Sequence, residues 1–176
     1  VVLGENVIYS GHQRNLLIEG SRNIVVGPHS FDHNPDYGEQ ELSTGLRIVD
    51  SQDIQISGCS MQDALSGENT VKGAIRSDKL ALLEIVRSKR VNVTGCQLLN
   101  GTPQAVLVDS CSDVALTGCM LLEPRAPRLT QTQIRWQGQG SGNLISACRI
   151  GAAKAATLTI DKAADVTLVG NRIDES

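Results

Sequence analysis

The sequence predicts an all-β solenoid, and three observations carry that expectation. First, the octapeptide Ile54-Gln55-Ile56-Ser57-Gly58-Cys59-Ser60-Met61 recurs as Val91 to Leu98 and again as Val114 to Leu121, with looser copies at Ile24 to Phe31, Asn143 to Ile150 and Val166 to Ile173 and a clipped one at Val1 to Ile8. Second, the residues equivalent to Gly58 (Glu5, Pro28, Gly58, Gly95, Gly118, Ala147 and Gly170) are spaced by 23, 30, 37, 23, 29 and 23. A constant floor with additions describes stacked turns that share a frame and accept insertions. Third, eight residues ahead of Ile54 stands Leu46-Arg47-Ile48, and the same offset finds Leu16-Leu17-Ile18, Leu83-Glu84-Ile85, Val106-Leu107-Val108 and Leu158-Thr159-Ile160. Each is apolar, variable, apolar, the period of a strand with one buried face.

Each copy therefore reads as a first strand, a polar turn, a second strand, a two-residue corner and a brief third strand. The turn, Asp50-Ser51-Gln52-Asp53 or Arg87-Ser88-Lys89-Arg90, carries side chains that bond to local backbone. One copy departs: from Ile134 to Asn143 the offset is nine, and Gln137-Gly138-Gln139-Gly140-Ser141-Gly142 reads as a turn with an extra residue or bulge. No segment keeps a 3.6-residue period for a useful length, so helices are not expected. From each third strand to the next first strand the separations are 8, 15, 22, 8, 13 and 8 residues, so the length variation collects in that loop.

Composition agrees. Aromatics are only 2% of the 176 residues while 40% are hydrophobic, which suits a narrow core of stacked aliphatics. A formal charge of -3 with no basic tract argues against a nucleic-acid partner, and no apolar run approaches the ~20 residues of a membrane span. Of five cysteines, Cys59, Cys96, Cys119 and Cys148 occupy the corner position, in one column with Asn6, His29 and Asn171. Stacked side chains point the same way, so reduced thiols are expected rather than disulfides, and no Cys-x-x-Cys pair signals zinc. Cys111 replaces a turn serine and is expected to be a partly exposed free thiol.

The strand, Ser/Asn turn, strand and Gly-Asn-like corner resemble the right-handed parallel β-helix of the pectin-lyase-like superfamily over essentially the whole chain. The resemblance implies a right-handed single-stranded parallel β-helix of about six coils with three short strands per coil, over 1–176 as one domain. In that family an inward asparagine at the corner bonds neighbouring coils; cysteine is expected to fill the volume without the amide's bonds. The resemblance also implies a polysaccharide lyase or glycoside hydrolase, exported to the periplasm, cell surface or medium.

Function in such an architecture sits on the outward face of the first strand and in the adjoining loops, which wall a groove. Outward first-strand positions are Leu17, Arg47, Glu84, Leu107, Arg135 and Thr159. The loop Ser30 to Glu41 concentrates acids with His33 and Tyr37; Asp32 and Asp36 make it a candidate calcium site, and His33 a candidate for proton exchange with a sugar. The second loop brings Lys72 and Arg76, and the third Arg125, as partners for uronate carboxylates. Candidate catalytic residues are thus Glu84, Arg47 and His33; candidate substrate contacts are Tyr37, Lys72, Arg76, Arg135 and Arg125. Pectate lyases of the superfamily bridge aspartates and uronates with Ca²⁺ and use an arginine for β-elimination. At most Glu84 matches their acidic positions, and the clustered aspartates of the galacturonases do not occur.

Both ends fall within coils, which reads as an excerpt of a longer protein lacking caps, with exposed edges suited to end-to-end association. Two functions follow: a domain that binds or processes a polysaccharide, acidic glycan favoured, or a non-catalytic structural solenoid of a larger surface protein. No cofactor beyond the candidate calcium is required.

Overall fold

The computed structural model describes residues 1–9, 14–32, 45–62 and 80–175. Three parallel sheets of six, seven and seven strands run the length of the molecule. The first-strand sheet stacks Leu16–Glu19, Leu46–Val49, Leu83–Val86, Gln104–Asp109, Thr132–Gln137 and Ala156–Ile160 in sequence order. The second stacks Val2–Leu3, Arg22–Val26, Gln52–Ser57, Lys89–Thr94, Ser112–Thr117, Asn143–Ser146 and Val166–Val169. The third stacks Asn6–Tyr9, His29–Asp32, Ser60–Gln62, Gln97–Leu99, Met120–Leu122, Arg149–Ile150 and Arg172–Ile173. Equivalent residues pair coil to coil, as in Ile56 to Val93 to Leu116 to Ile145. Among the described residues the only helical turn is a short 3-10 segment, Lys162–Ala164.

The period-two pattern fixes which side chains enter the core. Ile54, Ile56, Val91, Val93, Val114 and Leu116 are all at most 2% exposed, and Leu46, Ile48, Leu83, Ile85, Val106 and Val108 line the opposite wall equally deeply. Trp136 takes one of these inward positions, opposite Val108, and is fully buried.

Two ladders tie the coils together at the corners. After the second strand, Gly58, Gly95, Gly118, Ala147 and Gly170 hold φ between 53° and 64°, a left-handed corner that suits glycine. The next residue points inward. Asn171 accepts from the Cys148 amide at 2.8 Å and donates to the Ile145 carbonyl at 2.8 Å. Cys148 repeats both contacts one coil back, accepting from the Cys119 amide at 3.4 Å and donating to the Leu116 carbonyl at 3.5 Å. At Cys148 the expectation that cysteine would forgo the amide's bonds is corrected: its thiol makes the same pair at sulfur distances. All five cysteines are free and buried. Cys96 is pushed up in pKa, first by the flanking thiols Cys119 and Cys59 and then by burial.

The second ladder runs through the polar turns. Ser51 Oγ accepts from the Ser21 amide at 3.1 Å and donates to Val49 O at 2.8 Å; Ser88 Oγ accepts from the Ser51 amide at 3.1 Å and donates to Val86 O at 2.8 Å. Cys111 continues it, its sulfur accepting from the Ser88 amide at 3.3 Å. Cys111 is therefore not partly exposed but 2% exposed, because a turn serine here is a rung and its replacement inherits the inward position. Burial pushes its thiol up to about 11.

The bulge is where the sequence places it. Gly138 and Gly142 sit at φ 76° and 65°, and Asn143 takes the inward place beside Val114. Asn143 is 2% exposed, accepts from the Val114 amide at 3.0 Å, and donates to Cys111 O at 3.0 Å and Ala164 O at 2.7 Å. A Cβ at Gly140 would clash with the Cys111 carbonyl, so only glycine fits there.

Candidate functional site

Arg47, Glu84, Leu107, Arg135 and Thr159 stand in one row across the outward face of the first-strand sheet, each paired with the next. Strand spacing puts neighbours about 4.8 Å apart, so Arg47 and Arg135 are separated by about 14 Å. The period-two pattern that sends Ile48, Ile85 and Trp136 inward sends these side chains out.

The face is not evenly solvated. Leu17 is 47% exposed and Arg135 is exposed, whereas Glu84 and Leu107 are each 2% exposed. Glu84 is held by its own chain: Oε1 accepts from the Leu80 amide at 3.1 Å and the Ala81 amide at 3.4 Å. Its Oε2 lies 3.5 Å from the Arg47 guanidinium yet makes no hydrogen bond. The pair attracts without being aligned, leaving a buried carboxylate oxygen with acceptor capacity to spare. Arg135 donates through Nε to Gln137 Oε1 at 2.6 Å, and Gln137 in turn donates to Asp109 Oδ2 at 2.8 Å.

Other buried oxygens without a hydrogen bond lie on the same side. Gln133 Oε1 belongs to the outward position just before Ile134, Gln104 Oε1 to the entry of the neighbouring first strand, and Asn100 Oδ1 to the corner leading into it. Sequence reading missed all three, because a glutamine or asparagine before a strand looks like an ordinary turn residue. No three His, Cys, Asp or Glu side chains come together as metal ligands among the described residues. Asp32 closes its third strand and is partly buried.

Arg125 has a different setting from the one expected. Its side chain is 9% exposed, and the guanidinium donates to Glu123 at 2.5 and 2.6 Å, to Asn100 O at 2.9 Å and to Thr102 at 3.0 Å. Glu123 also accepts from the Thr130 amide at 2.9 Å and from the Thr130 hydroxyl. The cluster clips together the segments that leave two successive third strands. Burial alone would push Glu123 up, but hydrogen bonds from Arg125 and Thr130 outweigh it and hold the carboxyl below its ordinary value. The Glu123 signal was legible only as the acid two residues before Arg125.

Of the sequence-derived candidates, the structure thus brings together Glu84, Arg47 and, along the same row, Arg135. His33, Tyr37, Asp36, Lys72 and Arg76 lie outside the described residues.

No protein-family model matches the chain, and no curated protein matches it in sequence. Solved structures do. The periplasmic alginate epimerase AlgG superposes with a TM-score of 0.71 at 10% identity, over 98% of this chain and 39% of its own. This chain thus spans well under half of the epimerase's length. A protein from Parabacteroides merdae ATCC 43184, provisionally named a glycosyl hydrolase, superposes with a TM-score of 0.67 at 13% identity, over 96% of this chain and 80% of its own. At these identities the likeness is one of fold: the chain is a right-handed parallel β-helix with three strands per coil, the architecture its repeat resembles in the pectin-lyase-like superfamily.

Proposed function

We propose that this chain is a polysaccharide-binding β-helix whose first-strand face receives an acidic glycan. The observation that carries the reading is the row in which Arg47 and Arg135 flank Glu84 and Leu107 on one face. Guanidinium groups hold carboxylates through paired N–H donors, and two of them about three coils apart suit a chain of uronate units lying along the helix axis. The fold likeness to an alginate epimerase and to a provisionally named glycosyl hydrolase supports a saccharide ligand. By the same likeness we infer export to the periplasm or beyond; among the described residues no helix is long and apolar enough to cross a membrane.

Chemistry on the glycan is the further step, and one observation favours binding without it. Glu84, the acid that best matches a catalytic position, is 2% exposed and already spends one oxygen on the Leu80 and Ala81 amides. Its role in the proposed site is to attract the Arg47 guanidinium, 3.5 Å away, by charge. Binding of uronate oligosaccharides by calorimetry, with and without calcium, tests the reading. Arg47→Ala with Arg135→Ala is expected to weaken binding about tenfold, since each rim contact contributes up to ~1 kcal/mol. Unchanged affinity would remove the first-strand face from the reading. Release of unsaturated, epimerised or hydrolysed product by the wild type would move the chain to the enzymes.

A further inference from the structure

The polar turns between the first and second strands form a second feature that the proposed site does not use. Their middle residues, Arg22, Gln52, Lys89 and Ser112, are in register coil after coil. They line the floor of a concavity of about 600 Å³ at this edge of the solenoid. The residues two before and one after Gln52 and Lys89 are left-handed, with φ of 49° at Asp50, 44° at Arg87, 58° at Asp53 and 52° at Arg90. That conformation sends their side chains outward as two rails. Arg87 donates to both Asp50 oxygens at 2.8 and 2.7 Å, and Arg90 to both Asp53 oxygens at 2.6 and 3.0 Å.

The rails are self-neutralising; the middle column is not. It offers only a guanidinium, an amide, an ammonium and a hydroxyl. Arg22 and Lys89 are exposed, neither has a direct ion-pair partner among the described residues, and both add to the attraction that Arg90 exerts on Asp53. Across the four turns at 20–23, 50–53, 87–90 and 110–113, four cations face Asp50, Asp53 and Asp113, with Asp109 also acting on Arg87, and all of these carboxylates lie outside the middle column. Beneath them the serine ladder locks the backbone, so the column is rigid and presents donors at strand spacing, with Arg22 and Lys89 about 10 Å apart.

We infer that this trough is a second docking track for an anionic polysaccharide, separate from the first-strand face, with Arg22 and Lys89 as its carboxylate contacts. The inference takes its ligand class from the function proposed above and its site from independent residues. A polymer long enough to pass round the shared edge of the first-strand sheet could engage both tracks, so that the second acts through effective concentration.

The test titrates the whole chain with a long polyuronate, a short oligouronate, a neutral glucan and a DNA duplex. The variants are Arg22→Ala with Lys89→Ala, Arg47→Ala with Arg135→Ala, and Arg22→Lys with Lys89→Arg as the charge-preserving control; circular dichroism checks that each is folded. The expected result is a loss of about fivefold in polyuronate affinity for Arg22→Ala with Lys89→Ala, retained binding in the charge-preserving control, and no response to the glucan. Full affinity in Arg22→Ala with Lys89→Ala, while Arg47→Ala with Arg135→Ala binds weakly, overturns the track and leaves the first-strand site standing. The reverse pattern upholds the track and overturns that site. Duplex binding with the same dependence on Arg22 and Lys89 overturns the saccharide assignment, and no uronate binding by the wild type overturns both.

Discussion

The corner ladders and the outward face of the first strand are built from the same repeat, yet they treat polar atoms in opposite ways. In the ladders four rungs both accept and donate: Ser51, Ser88 and Asn171 take an amide from the coil before and give to a carbonyl, and Cys148 does so through sulfur. On and beside the first-strand face, Glu84, Gln104, Gln133 and Asn100 each keep a buried oxygen with no hydrogen bond. An acceptor left open in this way costs about 1–3 kcal/mol unless a further donor meets it. The ladders are scaffold, and the first-strand face carries acceptors that the protein's own donors leave open.

That contrast can be broken from the scaffold side. Asn143→Ala is expected to have the largest effect, since it strands the Val114 amide and the Cys111 and Ala164 carbonyls inside the bulge. A loss of about 4 kcal/mol in urea unfolding is predicted. Next comes Glu123→Ala, which leaves the Arg125 guanidinium nearly buried without its carboxylate and should cost about 3 kcal/mol. Because the Glu123 pKa is lowered on folding, its contribution is fully present above the unfolded value of 4.5 and is lost as pH falls through the lowered one. An acid titration of wild type against Glu123→Gln should therefore converge at low pH and diverge towards neutrality.

Smaller changes sharpen the comparison. Ala147 is the one non-glycine left-handed residue among corners otherwise held by Gly58, Gly95, Gly118 and Gly170, at φ 53°. Ala147→Gly should raise stability by about 1 kcal/mol in the same assay. The smallest expected response is that of the thiols. With all five cysteines buried and Cys111 pushed up to about 11, a thiol reagent at pH 8 should find essentially none in the native chain and five after denaturation.

Much of this was legible in the sequence, because a solenoid writes its fold as spacing. The register of Ile54, Val91 and Val114, the bulge before Asn143 and the inward corner column followed from counting residues. What counting could not give was the environment of a side chain on an irregular segment. Cys111 looked like a turn residue and proved to be a rung, because whether a turn position faces in depends on left-handed residues at Arg87 and Ser110 that no propensity marks. Arg125 looked like a groove cation, and its engagement follows from Glu123, itself held by Thr130, taking the guanidinium. Glu84 was found by its place in the strand, but its burial was not, since the Leu80 and Ala81 amides of the irregular segment before the strand close on its carboxylate.

The central claim is that the first-strand row reads carboxylates. The measurement that meets it most directly is calorimetric titration of the whole chain with a uronate oligosaccharide and with the same oligosaccharide after reduction of its carboxyl groups to alcohols. The account predicts measurable binding of the acid form, weakened by salt, and loss of at least tenfold in affinity for the reduced form. Equal affinity for the two would contradict it.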